Sequence, residues 1–268
     1  MSSTLQKDLT ISTIAQGLNL YTLQGVAVTP LGFMVPTLDG EVLQISPQGT
    51  IAPLVDLQKL NLGIPFGIAT HGTDLIVTTS DYFPNHHLVR VKPNGTVNTI
   101  ADLSELSGDA GAPFGVAVSD GDYIVTLSTD VVEATGLLLR VNAAGTITQI
   151  AELTGGNPFG VVAMGKDFVV AQSKGKLLRV NPKGAKSVVL DVQKAGFGIP
   201  FGVAAWNDDL LVTTNLGLIV KVDRSGNGLA IVDLVKARFG IPSGIAISDN
   251  SLVVTTGSGY LLKIVGQT

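Results

Sequence analysis

One phrase recurs six times along the chain, and that recurrence limits the fold more than any other feature. GIPFGIA at 63–69 returns as GAPFGVA at 111–117, GNPFGVV at 156–162, GIPFGVA at 198–204 and GIPSGIA at 240–246, with a degenerate copy, TLQGVAV, at 22–28. The shared glycine falls at Gly25, Gly67, Gly115, Gly160, Gly202 and Gly244, in steps of 42, 48, 45, 42 and 42 residues. A period of about 40 to 45 residues is the signature of propeller blades. Within a unit, as in 66–103, four β-rich runs follow one another: FGIAT, DLIVTTS, HLVRV and TVNTIADL, divided by turn residues such as His71-Gly72 and Pro93-Asn94-Gly95. Four short strands per repeat make a blade. Runs such as LIVTT and LLLRV are apolar on both faces, as sheets sandwiched between neighbours must be, and no helical period separates the strands. The expected fold is all-β: a six-bladed β-propeller with four antiparallel strands per blade, one domain over 1–268, each blade starting near its shared glycine.

The sixth unit tells how the ring closes. After SLVVTT and YLLKIV the chain is one strand short, whereas TISTIAQGL at 10–18 matches the fourth-strand phrases TVNTIADL at 96–103 and TITQIAEL at 146–153. The N-terminal strand is therefore expected to complete blade six and remove an open sheet edge.

The repeated residues have structural roles to fill first. The shared glycine either lets neighbouring backbones approach or takes a conformation closed to other residues, and the proline before Phe sets the course of the innermost strand. Arg90, Arg140, Arg179, Lys221 and Lys263 recur once per blade, each of the first four followed twelve positions later by Asp102, Glu152, Asp191 or Asp233. With the hairpin turn at Asn94-Gly95, however, Arg90 should face residue 98. Asp102 then lies four residues farther on at about 3.3 Å each, so the spacing follows from the repeat and predicts no ion pair.

Charge restricts the partners. Only 14% of residues are charged, the formal net charge is −4 and no run of Lys or Arg occurs, which removes the electrostatic footprint of a nucleic-acid binder. There are no cysteines, hence no disulfides or thiol chemistry. MSSTLQKDLTIST has no continuous apolar stretch and no segment approaches a membrane span, so the reading is a monomeric, soluble, cytoplasmic protein; a mature secreted or periplasmic form fits equally.

PFGVAVSDGDYIVTLS at 113–128, followed by LLLRVNAAGTITQIAEL at 137–153, resembles units of the NHL-repeat and streptogramin-lyase-like propellers and, more distantly, the senescence marker protein/gluconolactonase superfamily. The likeness extends over nearly the whole chain. It implies the fold and leaves function open, because these families hold lyases, lactonases and interaction modules. In gluconolactonase-like members a divalent cation sits over the central channel on Glu, Asn and Asp. Here the second strands end at Thr37, Thr79-Ser80, Leu127-Ser128, Gln172-Ser173, Thr214-Asn215 and Thr256, without a carboxylate. No metal and no other cofactor is expected on that ground.

Loops leaving the second strands and loops approaching the first strands share one end of a propeller, and the two long steps place extra residues there. SDYFPNHH brings Asp81, Tyr82, Phe83, His86 and His87; STDVVEATG brings Asp130 and Glu133; LSELSGDAGAP brings Glu105 and Asp109. A histidine beside a carboxylate exchanges protons near neutral pH. His86 or His87 with Glu133 or Asp109 forms the candidate catalytic set, and solvated loop tips are the bland alternative. Phe66, Phe114, Phe159 and Phe201, with Gln24 and Ser243 at the matching positions and Tyr82 nearby, form a candidate ligand-binding set. They either ring the channel mouth as an apolar basin with two polar groups or turn into the blade interfaces as core.

Three readings remain open: a metal-independent enzyme acting on a hydrophobic small molecule, of lyase, cyclase or lactone-hydrolase type; a non-catalytic propeller binding a small ligand or a partner protein; and a structural scaffold.

Overall fold

The computed structural model describes residues 9–21, 23–81, 85–108 and 111–266. Tyr82, Phe83 and Asp109 lie outside the described residues. The chain forms six four-stranded antiparallel sheets, and apart from one turn of 3-10 helix at Ser104–Leu106 every described element is a strand. Blades one to five follow chain order, their inner strands being Ala27–Thr29, Ile64–His71, Ala112–Ser119, Pro158–Met164 and Pro200–Trp206. Blade six runs Pro242–Ser248, Ser251–Thr256, Leu261–Gly266 and then Leu9–Ala15. The N-terminal strand supplies the missing edge, pairing Thr10 with Val265 and Ser12 with Lys263.

Burial follows the two-faced apolar pattern. The second strand of blade two, Asp74–Ser80, is buried from Leu75 onward, and its counterparts in blades five and six are equally enclosed. The core is not central. It consists of six hydrophobic clusters, each spanning one blade interface, such as Ile76, Leu88 and Leu103 of blade two against Val116, Tyr123 and Leu139 of blade three.

Near the axis the shared glycine explains itself. The inner strands of blades two to six carry a bulge at the Phe-Gly or Ser-Gly pair, where the pairing register slips, as between Pro65 and Ile68. A bulge takes an amide off the strand ladder. In blade three the freed Gly115 N–H donates to Thr126 Oγ1 (2.8 Å), whose hydroxyl donates onward to the Phe159 carbonyl of blade four (2.5 Å). Thr78 does the same between Gly67 and Phe114, Thr213 between Gly202 and Ser243, and Thr255 between Gly244 and Gln24. Two links differ: Gly25 donates directly to the Phe66 carbonyl (2.9 Å), and blade four has Ala171 where blades two, three, five and six have threonine. A Cβ on Gly67 would stand 2.2 Å from the Phe114 carbonyl oxygen, so close approach of backbones is what requires glycine here.

The repeated basic residues are structural. Arg90 pairs across its hairpin with Asn98, as the turn position predicts, while Asp102 faces His87. The ion-pair partners lie instead at the head of the second strand: Asp74 for Arg90 (3.9 Å), Asp122 for Arg140 (2.9 Å) and Asp209 for Lys221 (2.8 Å). His71 closes the inner strand of blade two opposite Asp74, at the end of the propeller away from His86 and His87.

Candidate functional site

In blade two, Pro65 pairs with Thr79, Thr79 with His87 and His87 with Asp102, one row running from the axis to the outer edge. This row marks the end of the propeller that also carries the Phe residues and the extra loop residues.

The Phe side chains do two things at once. Phe66 meets Phe114, Phe114 meets Phe159, and Phe159 meets Phe201, all edge to face, with ring centroids 5.6, 5.6 and 5.9 Å apart. This is the favoured geometry for aromatic quadrupoles. All four are half-buried, and Phe114, Phe159 and Phe201 line an axial cavity of about 80 Å³ together with Gln24 and Ser243. That volume holds a few water molecules at about 10–15 Å³ each, and no drug-sized ligand. Gln24 and Ser243 are both buried and are tied to their own ring: Ser243 Oγ donates to the Gln24 carbonyl (2.9 Å), and Gln24 Oε1 accepts the Tyr21 N–H. Gln24 Nε2 has no hydrogen-bond partner.

Farther from the axis, the histidines are held by the connection between blades two and three. The Leu103 N–H donates to the His86 carbonyl (2.8 Å), and the His86 N–H donates to Ser104 Oγ (3.1 Å). His86 is only 3% exposed, and Nδ1 of both His86 and His87 is buried without a partner. Burial pushes the His86 imidazole below its ordinary value, and neighbouring His87 adds to this; Asp102 and Asp81 oppose it. Asp102 is held below the usual carboxylate range chiefly by its hydrogen bonds from Ser104, whose amide lies 2.9 Å away, and to a smaller degree by the two histidines. The three groups are thus His86, whose neutral form burial favours, a half-buried His87 at the strand head and, across the strand, Asp102, whose ionised form its hydrogen bonds favour.

The carboxylates whose charge reaches His86 are Asp102 and Asp81, and Glu133 is not among them. Glu133 stands on an exposed tip where its amide, with that of Val132, donates to Asp130 Oδ1. The placement of Asp102 beside the histidines is hidden in the sequence because it looks like one of four repeated outer-strand acids. The signal was present in the register, since Arg90 facing residue 98 puts the strand head His87 opposite residue 102. Among the described residues no group of three or more His, Asp or Glu side chains is placed to hold a metal ion, and no helix is long and apolar enough to cross a membrane.

No protein-family model matches the chain, and no curated protein matches it in sequence. Solved structures do match in fold. A gluconolactonase of Xanthomonas campestris superposes with a TM-score of 0.75 at 15% identity, covering 97% of this chain and 90% of that one. Virginiamycin B lyase of Staphylococcus aureus gives a TM-score of 0.67 at 13% identity over 96% and 99% of the two chains. A PQQ-bound aldose sugar dehydrogenase of Streptomyces coelicolor gives 0.72 at 13% identity over 97% and 99%. The chain is a six-bladed β-propeller, closed by its N-terminal strand and similar in fold to these enzymes.

Proposed function

We propose that the chain is a metal-independent enzyme that acts on a hydrophobic small molecule at the end carrying His86, His87 and the Phe ring, by proton transfer of the kind a lyase or lactone hydrolase uses. The observation that carries this reading is the histidine pair, buried at Nδ1, unpartnered there and set beside the ionised Asp102. An imidazole nitrogen with no internal partner is left to bond an incoming group, and desolvation favours the neutral form of His86. His87, half-buried at the strand head, is the group that meets substrate, with the charge of Asp102 across the strand and His86 beside it in the chain. The axial cavity is too small for the substrate, so binding takes place over the channel mouth, against the Phe edges. Two neighbours support the chemistry: one is a gluconolactonase, and a His-to-Ala variant of virginiamycin B lyase is described as catalytically inactive.

The test is turnover of a panel of aliphatic lactones and cyclic ester peptides, with and without EDTA. Turnover is expected to survive EDTA and to fall by about 10²–10⁴-fold in His87→Gln with the melting temperature unchanged. Loss of turnover in EDTA, or full turnover in His87→Gln, overturns the reading.

A second reading, a non-catalytic propeller that binds a partner protein, is favoured by one observation. Tyr21, Leu60, Leu106, Val131, Val132, Leu216 and Val235 are exposed apolar residues, and all stand on connections between strands at this same end. Exposed apolar groups gathered on one face mark an interaction surface. Absence of turnover on the whole panel favours this alternative.

A further inference from the structure

At the other end of the propeller, the blade interfaces repeat one arrangement with different side chains. Between blades two and three, Tyr123 of blade three reaches beneath blade two with its ring fully buried. Its hydroxyl accepts a hydrogen bond from Arg90 and meets His71 Nδ1 at 3.0 Å, and the His71 and Tyr123 rings stand edge to face at 5.5 Å. Between blades three and four the ring belongs to Phe168, and Arg140 lies over it, 5.8 Å from its centroid. In both interfaces an aromatic ring from one blade fills the space beside the basic residue of the previous one.

Between blades five and six the same frame lacks its ring. Trp206 pairs with Asp209 as His71 pairs with Asp74, and Leu211 faces Lys221 as Ile76 faces Arg90. The residue that corresponds to Tyr123 is Leu252, which pairs with Ile247 and Ile264 as Tyr123 pairs with Val118 and Val141. Leucine brings neither ring nor hydroxyl. A cavity of about 170 Å³ remains, walled by Leu252, Leu211, Ile231, Ile264 and Trp206, with the Lys221–Asp209 ion pair at 2.8 Å as its polar corner.

We propose that this cavity is a binding site for a small phenol, which takes the place that the Tyr123 side chain occupies between blades two and three. The volume suits the ring: an apolar cavity of about 150 Å³ admits benzene. The chemistry suits the hydroxyl: an ammonium group has three donors, and Asp209 engages Lys221 without exhausting them, leaving a donor for the phenol oxygen as Arg90 provides one for Tyr123. Because Asp209 already balances the charge of Lys221, a neutral phenol fits better than an aromatic carboxylate. Trp206 offers an aromatic face where His71 stands in the sister interface. The site is independent of the histidine chemistry proposed above and lies at the opposite end of the molecule.

Trp206 is the chain's one tryptophan, so its emission reports on this cavity alone. The probes are 4-methylphenol, which is the tyrosine side chain as a free molecule, and toluene, which lacks the hydroxyl. With the intact chain, 4-methylphenol is expected to change Trp206 emission saturably and to bind about tenfold more tightly than toluene, the worth of one hydrogen bond to a charged donor. Lys221→Met is expected to remove that preference while keeping toluene binding. Leu252→Tyr, which installs the ring covalently, is expected to abolish binding of both and to leave melting unchanged or higher. Absence of a saturable change with the intact chain overturns the proposal. So does equal binding of the two probes, or 4-methylphenol binding that persists in a folded Leu252→Tyr. If Leu252→Tyr does not fold, the Lys221→Met comparison decides.

Discussion

The hydroxyl of Thr126 in blade three donates to the carbonyl of Phe159 in blade four, 2.5 Å away, and at the same time accepts the amide that the bulge at Gly115 has released. One side chain therefore satisfies two backbone groups belonging to different sheets. Replacing it with the isosteric valine keeps the shape and removes both bonds. Thr126→Val is expected to cost about 1–3 kcal/mol, since the two groups stay buried without partners. The reverse change fills the broken link: Ala171→Thr is expected to add about 1 kcal/mol and raise the melting temperature by about 2 °C. Thermal unfolding of the two variants checks both signs.

The shared glycines are not equally intolerant. A Cβ at position 67 meets the Phe114 carbonyl oxygen at 2.2 Å, a backbone atom that cannot yield, whereas at position 25 the nearest atom is Ile68 Cγ2 at 3.2 Å. Gly67→Ala is expected to destabilise by about 1–3 kcal/mol or more, and Gly25→Ala by clearly less. Denaturant midpoints of the pair decide this, and equal losses contradict the close-approach account.

Stability should fall on acidification in two separate windows. His86 is held below its ordinary value of 6.5, so the folded state binds fewer protons than the unfolded chain; its contribution is present above pH 6.5 and lost as the pH falls from there towards the folded value. Asp102 is held below 3.8, so its contribution is present above pH 3.8 and lost as the pH falls through the folded value. His86→Gln is expected to flatten the first window and leave the second. Melting temperatures across the acid range measure both.

Residues 9–15 cover one edge of blade six, and Leu9, Ile11, Ile14 and Ala15 pack into two of the six clusters. Removing residues 1–15 is expected to lower the melting temperature by far more than a trimmed tail does. It also uncovers the edge of Leu261–Gly266, so self-association that grows with concentration is expected. Light scattering alongside the melt tests this.

Much of the architecture was legible because the repeat states it six times. Strand number, closure by the N-terminal strand and the facing of Arg90 by Asn98 all follow from spacing and turn position. The partners of the basic residues were harder to see. Asp74, Asp122 and Asp209 precede Arg90, Arg140 and Lys221 by distances that change with the loop between second and third strands, so no constant spacing advertises them. The threonine relay was missed for a different reason. Thr78, Thr126, Thr213 and Thr255 each stand eleven residues after a shared glycine, but threonine in a strand reads as β propensity, and only the bulge gives its hydroxyl a task. At the candidate site the loop residues could be placed at one end of the molecule by topology. Which carboxylate stands beside His86 and His87 depended on strand register, which sets Asp102 opposite His87.

The edge of blade six joins the earliest described strand of the chain to the latest, Leu9–Ala15 to Leu261–Gly266. During synthesis the first of these waits for residues 16–260 to follow before its partner exists. Pairings this remote in sequence are the slowest to form. A ribosome can therefore release five blades in order, while the ring itself becomes a closed object only in a final step, which no partially made chain can rehearse.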